Sequence, residues 1–330
     1  MNTLSRHWLL LHSGIALVCA GESAYGQKKD PPPSPEERDF NVRVQVLLDR
    51  ELSPPGRIDG RRGTFTYKGL MNLCAIRGWD APGAEFAGML QNTDPIYVTY
   101  AVPEEAKKWI GGVPGSKSAQ AKNGRMPYTS LAEFVAERFH CHTELLNELN
   151  PEVAKKGVRV GDELLVPNVE PFQIETLVKE LTTEPDFVRK LYRVEVRVAD
   201  KLAWVFPDED GARPVAIFPI TPGGAGGKAT FTPKGTWVVR NVVVFPTFRY
   251  DKSLLKQGKR SDNFHMIPPG PNNPVGVAWI GLNRSGIGLH GTNDPVSIGR
   301  AASHGCVRLA NWDIVRLKPF VTVGTPVKIF

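Results

Sequence analysis

Residues 290–309, HGTNDPVSIGRAASHGCVRL, place two histidines and a cysteine in one glycine-rich stretch. Cys306 stands two residues after His304 and sixteen after His290. A thiol works as a nucleophile when a neighbouring base takes its proton and local donors hold the oxyanion that forms next. The stretch has parts for both. His290 is the candidate base, and the backbone N–H groups of Gly305 and Cys306 are candidate oxyanion donors. Gly305 has no side chain, so a carbonyl can come close to those groups. A thiol of ordinary pKa, near ~8.5, is only a few per cent thiolate at neutral pH. An imidazole that lowered it to about 6 would make thiolate the main form, and that is the expectation for Cys306. One backbone donor to the oxyanion is worth about 3 kcal/mol. The chemistry these residues suit is covalent acyl transfer.

The elements that carry them are mostly strands. Tyr192, Val194, Val196 and Val198 alternate with Arg193, Glu195 and Arg197, the period of a half-buried strand. Further strands are expected at Ala203–Phe206, Val215–Ile220, Thr236–Phe245, Val277–Leu282, Ile287–His290 and Pro326–Phe330, separated by Gly/Pro turns. Residues 190–330 therefore form a mainly-β domain, sandwich or barrel-like, with few helices. Asn311 reads as the N-cap of one of these, Trp312–Leu317. Before it, 169–189 is a bridging segment whose Ile174, Leu177, Val178 and Leu181 suit a short amphipathic helix.

The upstream chain divides by composition. Residues 1–26 read as a secretory signal: Arg6 and His7 precede an apolar run from Trp8 to Ala20, and Ala24-Tyr25-Gly26 or Val18-Cys19-Ala20 could be cleaved. An uncleaved anchor or a buried helix is the alternative reading of that run. With the signal removed, no stable membrane span is expected, and the location is secreted, periplasmic or cell-wall associated. Residues 27–39, QKKDPPPSPEERD, read as an extended tether. A small helical module follows at 40–110, a flexible linker at 111–125 (GGVPGSKSAQAKNGR), and a second module at 126–168.

The net charge of +7 suits an anionic environment. No Lys/Arg run is dense enough for a nucleic-acid footprint. Removal of the signal leaves Cys74, Cys141 and Cys306, an odd number, and Cys306 is the expected free thiol. Cys74 and Cys141 could pair or could simply fill apolar space. His140-Cys141-His142 carries no expectation of a metal, because adjacent helical residues point in different directions.

Three resemblances add to this reading. GIGLHGTNDPVSIGRAASHGCVRL, with the upstream PPGPNNPVGVAWIGL and ATFTPKGTW, resembles the L,D-transpeptidase signature, in which a histidine precedes Ser/Thr-His-Gly-Cys. That resemblance implies that Cys306 is the acylated nucleophile and His290 the general base and acid. The Gly291 carbonyl would orient the imidazole, and Ser303, His304 and Gly305 would shape the pocket and oxyanion site. Arg308 would meet a substrate carboxylate, for which its guanidinium fork is suited. It also implies action on peptidoglycan without a metal or organic cofactor. The reaction would be 3→3 cross-linking of stem peptides, L,D-carboxypeptidase hydrolysis or attachment of a protein to the wall; a non-catalytic wall-binding protein is the remaining alternative. VQVLLDRELSPPGRIDGRRGTFTYKGLMNLCAIRGW resembles a peptidoglycan-binding repeat with its Ile58-Asp59-Gly60 turn. The second module, from Tyr128-Thr129-Ser130 through Leu-x-x-Leu-Asn-Pro to VGDELLVP, resembles a βααβ lysin motif (LysM).

Overall fold

The computed structural model describes residues 32–186, 191–224, 231–257, 259–300 and 305–330. The expected signal sequence, part of the proline-rich stretch, and Ser303 and His304 lie outside the described residues. Helix α1, Pro35–Arg50, takes up the end of the expected tether. The cause is a capping box: Ser34 accepts the Glu37 N–H while the Glu37 carboxylate accepts the Ser34 N–H, and Pro35 is preset for the first helical position. Helices α2, Thr64–Arg77, and α3, Ala84–Gln91, pack with α1 through Val44, Leu48, Leu70, Leu73, Phe86 and Leu90. Between α1 and α2, the Gln45 side-chain carbonyl accepts the amides of Asp59 and Gly60, and Asp59 accepts the Arg61 N–H. Asp59 and Gly60 are thus committed to their own turn.

Strand β1, Tyr97–Ala101, pairs antiparallel with β2, Glu163–Pro167. Between them lie α4, Lys117–Gln120, α5, Leu131–Arg138, α6, Thr143–Leu149, and α7, Pro151–Lys156. The strand that partners Glu163–Pro167 is therefore Tyr97–Ala101, upstream of the glycine-rich stretch, and not residues 128–130. That stretch is also more ordered than a flexible linker. Ser116 caps α4, Gln120 is buried and donates to the Pro114 carbonyl at 2.7 Å, and the Met126 N–H reaches Pro269 O at 2.8 Å. The bridging segment forms a 3₁₀ turn at Ile174–Thr176 and then β3, Glu180–Thr182, in place of the expected amphipathic helix. An open edge of the main sheet captures those three residues, and pairing outweighs a weak local helical period.

The remaining strands are β4 (Tyr192–Arg197), β5 (Leu202–Pro207), β6 (Ala216–Pro219), β7 (Gly235–Val244), β8 (Phe248–Asp251), β9 (Phe264–Ile267), β10 (Ala278–Leu282), β11 (Gly288–His290), β12 (Val307–Arg308) and β13 (Pro326–Ile329). Helix α8, Lys252–Gln257, follows β8. The main sheet runs β12-β11-β10-β7-β13-β4-β5-β6, with β3 on β7. Its two ends meet: Thr221, just past β6, exchanges both backbone hydrogen bonds with Arg308 at 2.9 and 3.0 Å. The mainly-β expectation thus takes the form of one curled, barrel-like sheet, and the closing bridge falls beside the cysteine.

Helix α9, Asn311–Leu317, packs on the sheet with Trp312, Ile314 and Leu317 fully buried. It also anchors the upstream chain. Arg316 donates to both Asp49 carboxylate oxygens at 3.0 Å and to the Asp49 carbonyl at 2.8 Å. His140 Nδ1 lies 3.1 Å from the same carboxylate, and its ring stacks on Trp312 at 5.2 Å. Burial pushes the Asp49 carboxyl up, but the adjoining Arg316 and His140 hold it down at about 2. Three parts of the chain thus share one buried ionic cluster. Among the described residues no helix is long and apolar enough to cross a membrane.

Candidate active site

Register sets which side chains share a face. His290 on β11 lies opposite Trp279 on antiparallel β10 and opposite Arg308 on parallel β12. Cys306 directly precedes β12, two positions before Arg308, whose charge acts on its thiol. Trp279, His290 and Arg308 thus stand side by side across three paired strands, with Cys306 at the start of the third. Two glycines open this part of the sheet. A Cβ on Gly288 would stand 2.7 Å from the Trp279 ring, and one on Gly281 would stand 2.7 Å from its Nε1. The indole lies over both glycines and stacks on His290, with ring centroids 5.5 Å apart and planes 17° apart.

His290 is buried, and its Nδ1 is 2.6 Å from the Gly291 carbonyl. A carbonyl only accepts, so Nδ1 carries the proton and Nε2 is left as the basic nitrogen. Desolvation lowers the imidazole pKa to about 4; the Gly291 bond opposes this and the Arg308 charge adds to it. Cys306 is half-buried, and its Sγ donates to the Gly286 carbonyl at 3.2 Å. Desolvation raises the thiol to about 11, against the opposing pull of the Gly288 N–H and Arg308. This corrects the expectation of a thiol lowered to about 6. At neutral pH the resting site holds a neutral thiol and a neutral imidazole, because burial penalises both ions.

Gly305 has φ +97, a conformation that a side chain would strain. Arg308 is half-buried, and its guanidinium makes no hydrogen bond or ion pair among the described residues. Asp294 is the acidic group that acts on it electrostatically. Elsewhere, the two histidines of the His140-Cys141-His142 run diverge: His140 faces Asp49, while His142 accepts the Glu144 N–H at the start of α6. Cys74 and Cys141 are buried on separate elements.

Residues 191–329 match the family model of the YkuD L,D-transpeptidase catalytic domain. The chain is similar to the probable L,D-transpeptidase ErfK/SrfK of Salmonella typhimurium, 30% identical over 254 residues, spanning 75% of this chain and 73% of that protein. It is also similar to the probable L,D-transpeptidase YbiS of Escherichia coli K12, 46% identical over 234 residues, 70% of this chain and 68% of that protein. The chain belongs to the L,D-transpeptidase family. Members are cysteine acyltransferases, so this chain is an enzyme of that class.

In this L,D-transpeptidase the braces around the histidine are what sequence reading missed. Asn311, read as a helix cap, is the first residue of α9, with Ala310 at the cap position. Its side chain turns inward: Oδ1 accepts the Val277 N–H at 3.2 Å, and Nδ2 donates to Pro271 O at 3.2 Å and to Glu137 Oε1 at 3.0 Å. A Cβ on Gly276 or Gly291 would stand 2.1 or 2.3 Å from that Oδ1. Asn311 thus fixes the backbone whose carbonyl holds His290. The usable signal was the pair of glycines flanking β10 and β11. The register that sets Trp279 against the imidazole has no local signature in the sequence.

Proposed function

We propose that the protein is an exported peptidoglycan L,D-transpeptidase that forms 3→3 cross-links through a Cys306 thioester. The observation that carries the reading is the His290 tautomer, fixed by Gly291 with Nε2 basic, on the strand that pairs with the one Cys306 leads into. Cys306 sulfur attacks the carbonyl between the third, L-centred residue and the fourth, D-centred residue of a tetrapeptide stem, as His290 Nε2 takes the thiol proton. The N–H groups of Gly305 and Cys306 meet the oxyanion. Collapse breaks the C–N bond, and His290 returns the proton to the departing D-Ala amine. A side-chain amine of a second stem then attacks the thioester and gives its proton to His290. The C–S bond breaks, and the proton returns to sulfur. Arg308 holds a stem carboxylate throughout. The upstream modules hold wall polymer near the cleft and so raise its effective concentration.

Mass spectrometry of tetrapeptide muropeptides after incubation with the enzyme checks the acceptor. Cross-linked dimers are the expected product. Shortened monomers would make the protein an L,D-carboxypeptidase, and unchanged substrate would leave it a wall-binding protein.

A further inference from the structure

A cavity of about 360 Å³ lies outside the site just described, between the 55–68 segment and the 295–300 loop on the path from His290 to Cys306. Arg57, Arg61, Arg62, Lys68, Lys201 and Arg300 line it. Four of these cations are already engaged. Arg61 pairs with Glu148 and Arg62 with Glu37, each at 3.3 Å; Lys68 donates to Asp200 O at 2.7 Å and Lys201 to Gly299 O at 2.6 Å. The guanidiniums of Arg57 and Arg300 make no hydrogen bond or ion pair among the described residues. Asp59, the acid in the lining, bonds its own turn and Gln45 and acts on Arg57 electrostatically without a direct bond. Burial, with the like charge of Arg300, brings Arg57 down to about 10. Arg57 is half-buried and Arg300 exposed, and Asp59, Asp294 and Glu144 act on Arg57 electrostatically without a direct bond, so both guanidinium forks are open to an anion in the cavity.

The walls are held in place. Gly299, at φ +73, lies so close to the Phe65 ring that a Cβ there would stand 1.8 Å from it. The Ile217 N–H bonds Leu52 O at 2.9 Å, fixing the upstream segment to β6. Asp294 acts electrostatically on both Arg57 and Arg308, so the cavity and the cysteine site adjoin one loop. The volume admits a short peptide segment and not only a small ion.

We infer that Arg57 and Arg300 form an oxyanion site that binds a carboxylate of a peptidoglycan stem peptide, separate from the carboxylate assigned to Arg308. The inference rests on the functional reading above, since that reading supplies the stem. Guanidinium forks bind carboxylates bidentately, and the position on the His290–Cys306 loop ties a strand held there to the reacting one. The occupant is a peptide and not a phosphodiester polymer, because Asp294 acts on both Arg57 and Arg308, which sets the cavity near the arginine assigned to the stem.

The test is calorimetric binding of a disaccharide-tetrapeptide to the full chain carrying Cys306→Ala, which prevents turnover. Added Arg57→Gln or Arg300→Gln should each weaken binding about threefold, and both together about tenfold or more. Amidating the muropeptide's carboxyls, which also removes the Arg308 contact, should weaken binding to the parent by a larger factor than binding to the double variant. Thermal midpoints of the variants should equal or exceed the parent's, because one of two like charges is gone. Unchanged affinity in a folded double variant overturns the inference. So does a loss seen with polyglycerol phosphate but not with the muropeptide, which would assign the site to phosphodiesters. Acylation of the unaltered protein by a carbapenem tests the functional reading separately. An acylable protein whose affinity ignores both arginines refutes the site alone.

Discussion

Replacing His290 with alanine should slow acylation of Cys306 by roughly 10²–10⁴-fold, the usual worth of a positioned general base. The pH profile should change as well. In the parent, His290 is neutral above about pH 4 and the thiol is protonated below about 11. The proton-transfer-competent pair is then the main form from pH 6 to 9, and the acylation rate should be level across that range. Without the imidazole, attack depends on thiolate formed in solution equilibrium. With a pKa near 11 that fraction is about one in ten thousand at pH 7. The variant's rate should therefore climb about tenfold per pH unit. Stopped-flow acylation by a chromogenic β-lactam measures both. A level profile in the variant would remove His290 from the role of base.

The second large effect concerns the fold. Arg316→Ala should destabilise the protein by about 3–5 kcal/mol, the loss expected when one partner of a buried ion pair is removed. Asp49 would then keep the His140 contact, but burial drives that imidazole toward its neutral form and leaves the carboxylate without a compensating charge. The double change Asp49→Leu with Arg316→Met should cost much less, since no buried charge is left alone. The sign of the pH dependence follows from Asp49. Its folded pKa, about 2, lies below the unfolded value of about 3.9. The stability it contributes is thus complete above about pH 4 and is lost as pH falls toward 2. Urea unfolding at pH 7 and at pH 3 measures these differences. An Arg316→Ala midpoint equal to the parent's would show that the cluster contributes nothing.

The catalytic half of the molecule was legible because its signals are local. The Val194/Val196 alternation puts both valines in the core, and the glycine-rich stretch around Cys306 lies at the edge of two paired strands. What escaped detection depends on partners distant in the chain. Residues 177–181 have the apolar spacing of a helix, yet Glu180–Thr182 form a strand because β7 offers an edge. Tyr97–Ala101 pairs with a strand beyond the 111–125 stretch, so no window of sequence holds both. The charge state of the site escaped for the same reason. Proximity of a histidine to a cysteine suggests an ion pair, whereas burial beneath Trp279 and against Gly286 favours the neutral forms. Asn311 was misread because a cap-forming residue type was placed by local preference, while tertiary bonds to Val277, Pro271 and Glu137 claim its side chain.

The most direct test of the whole is peptide mapping of the covalent adduct formed with a carbapenem. The expected result is one added mass per chain, located on the peptide that contains Cys306 and missing from Cys306→Ala. An adduct of equal yield in the alanine variant, or one mapped to Cys74 or Cys141, would contradict it.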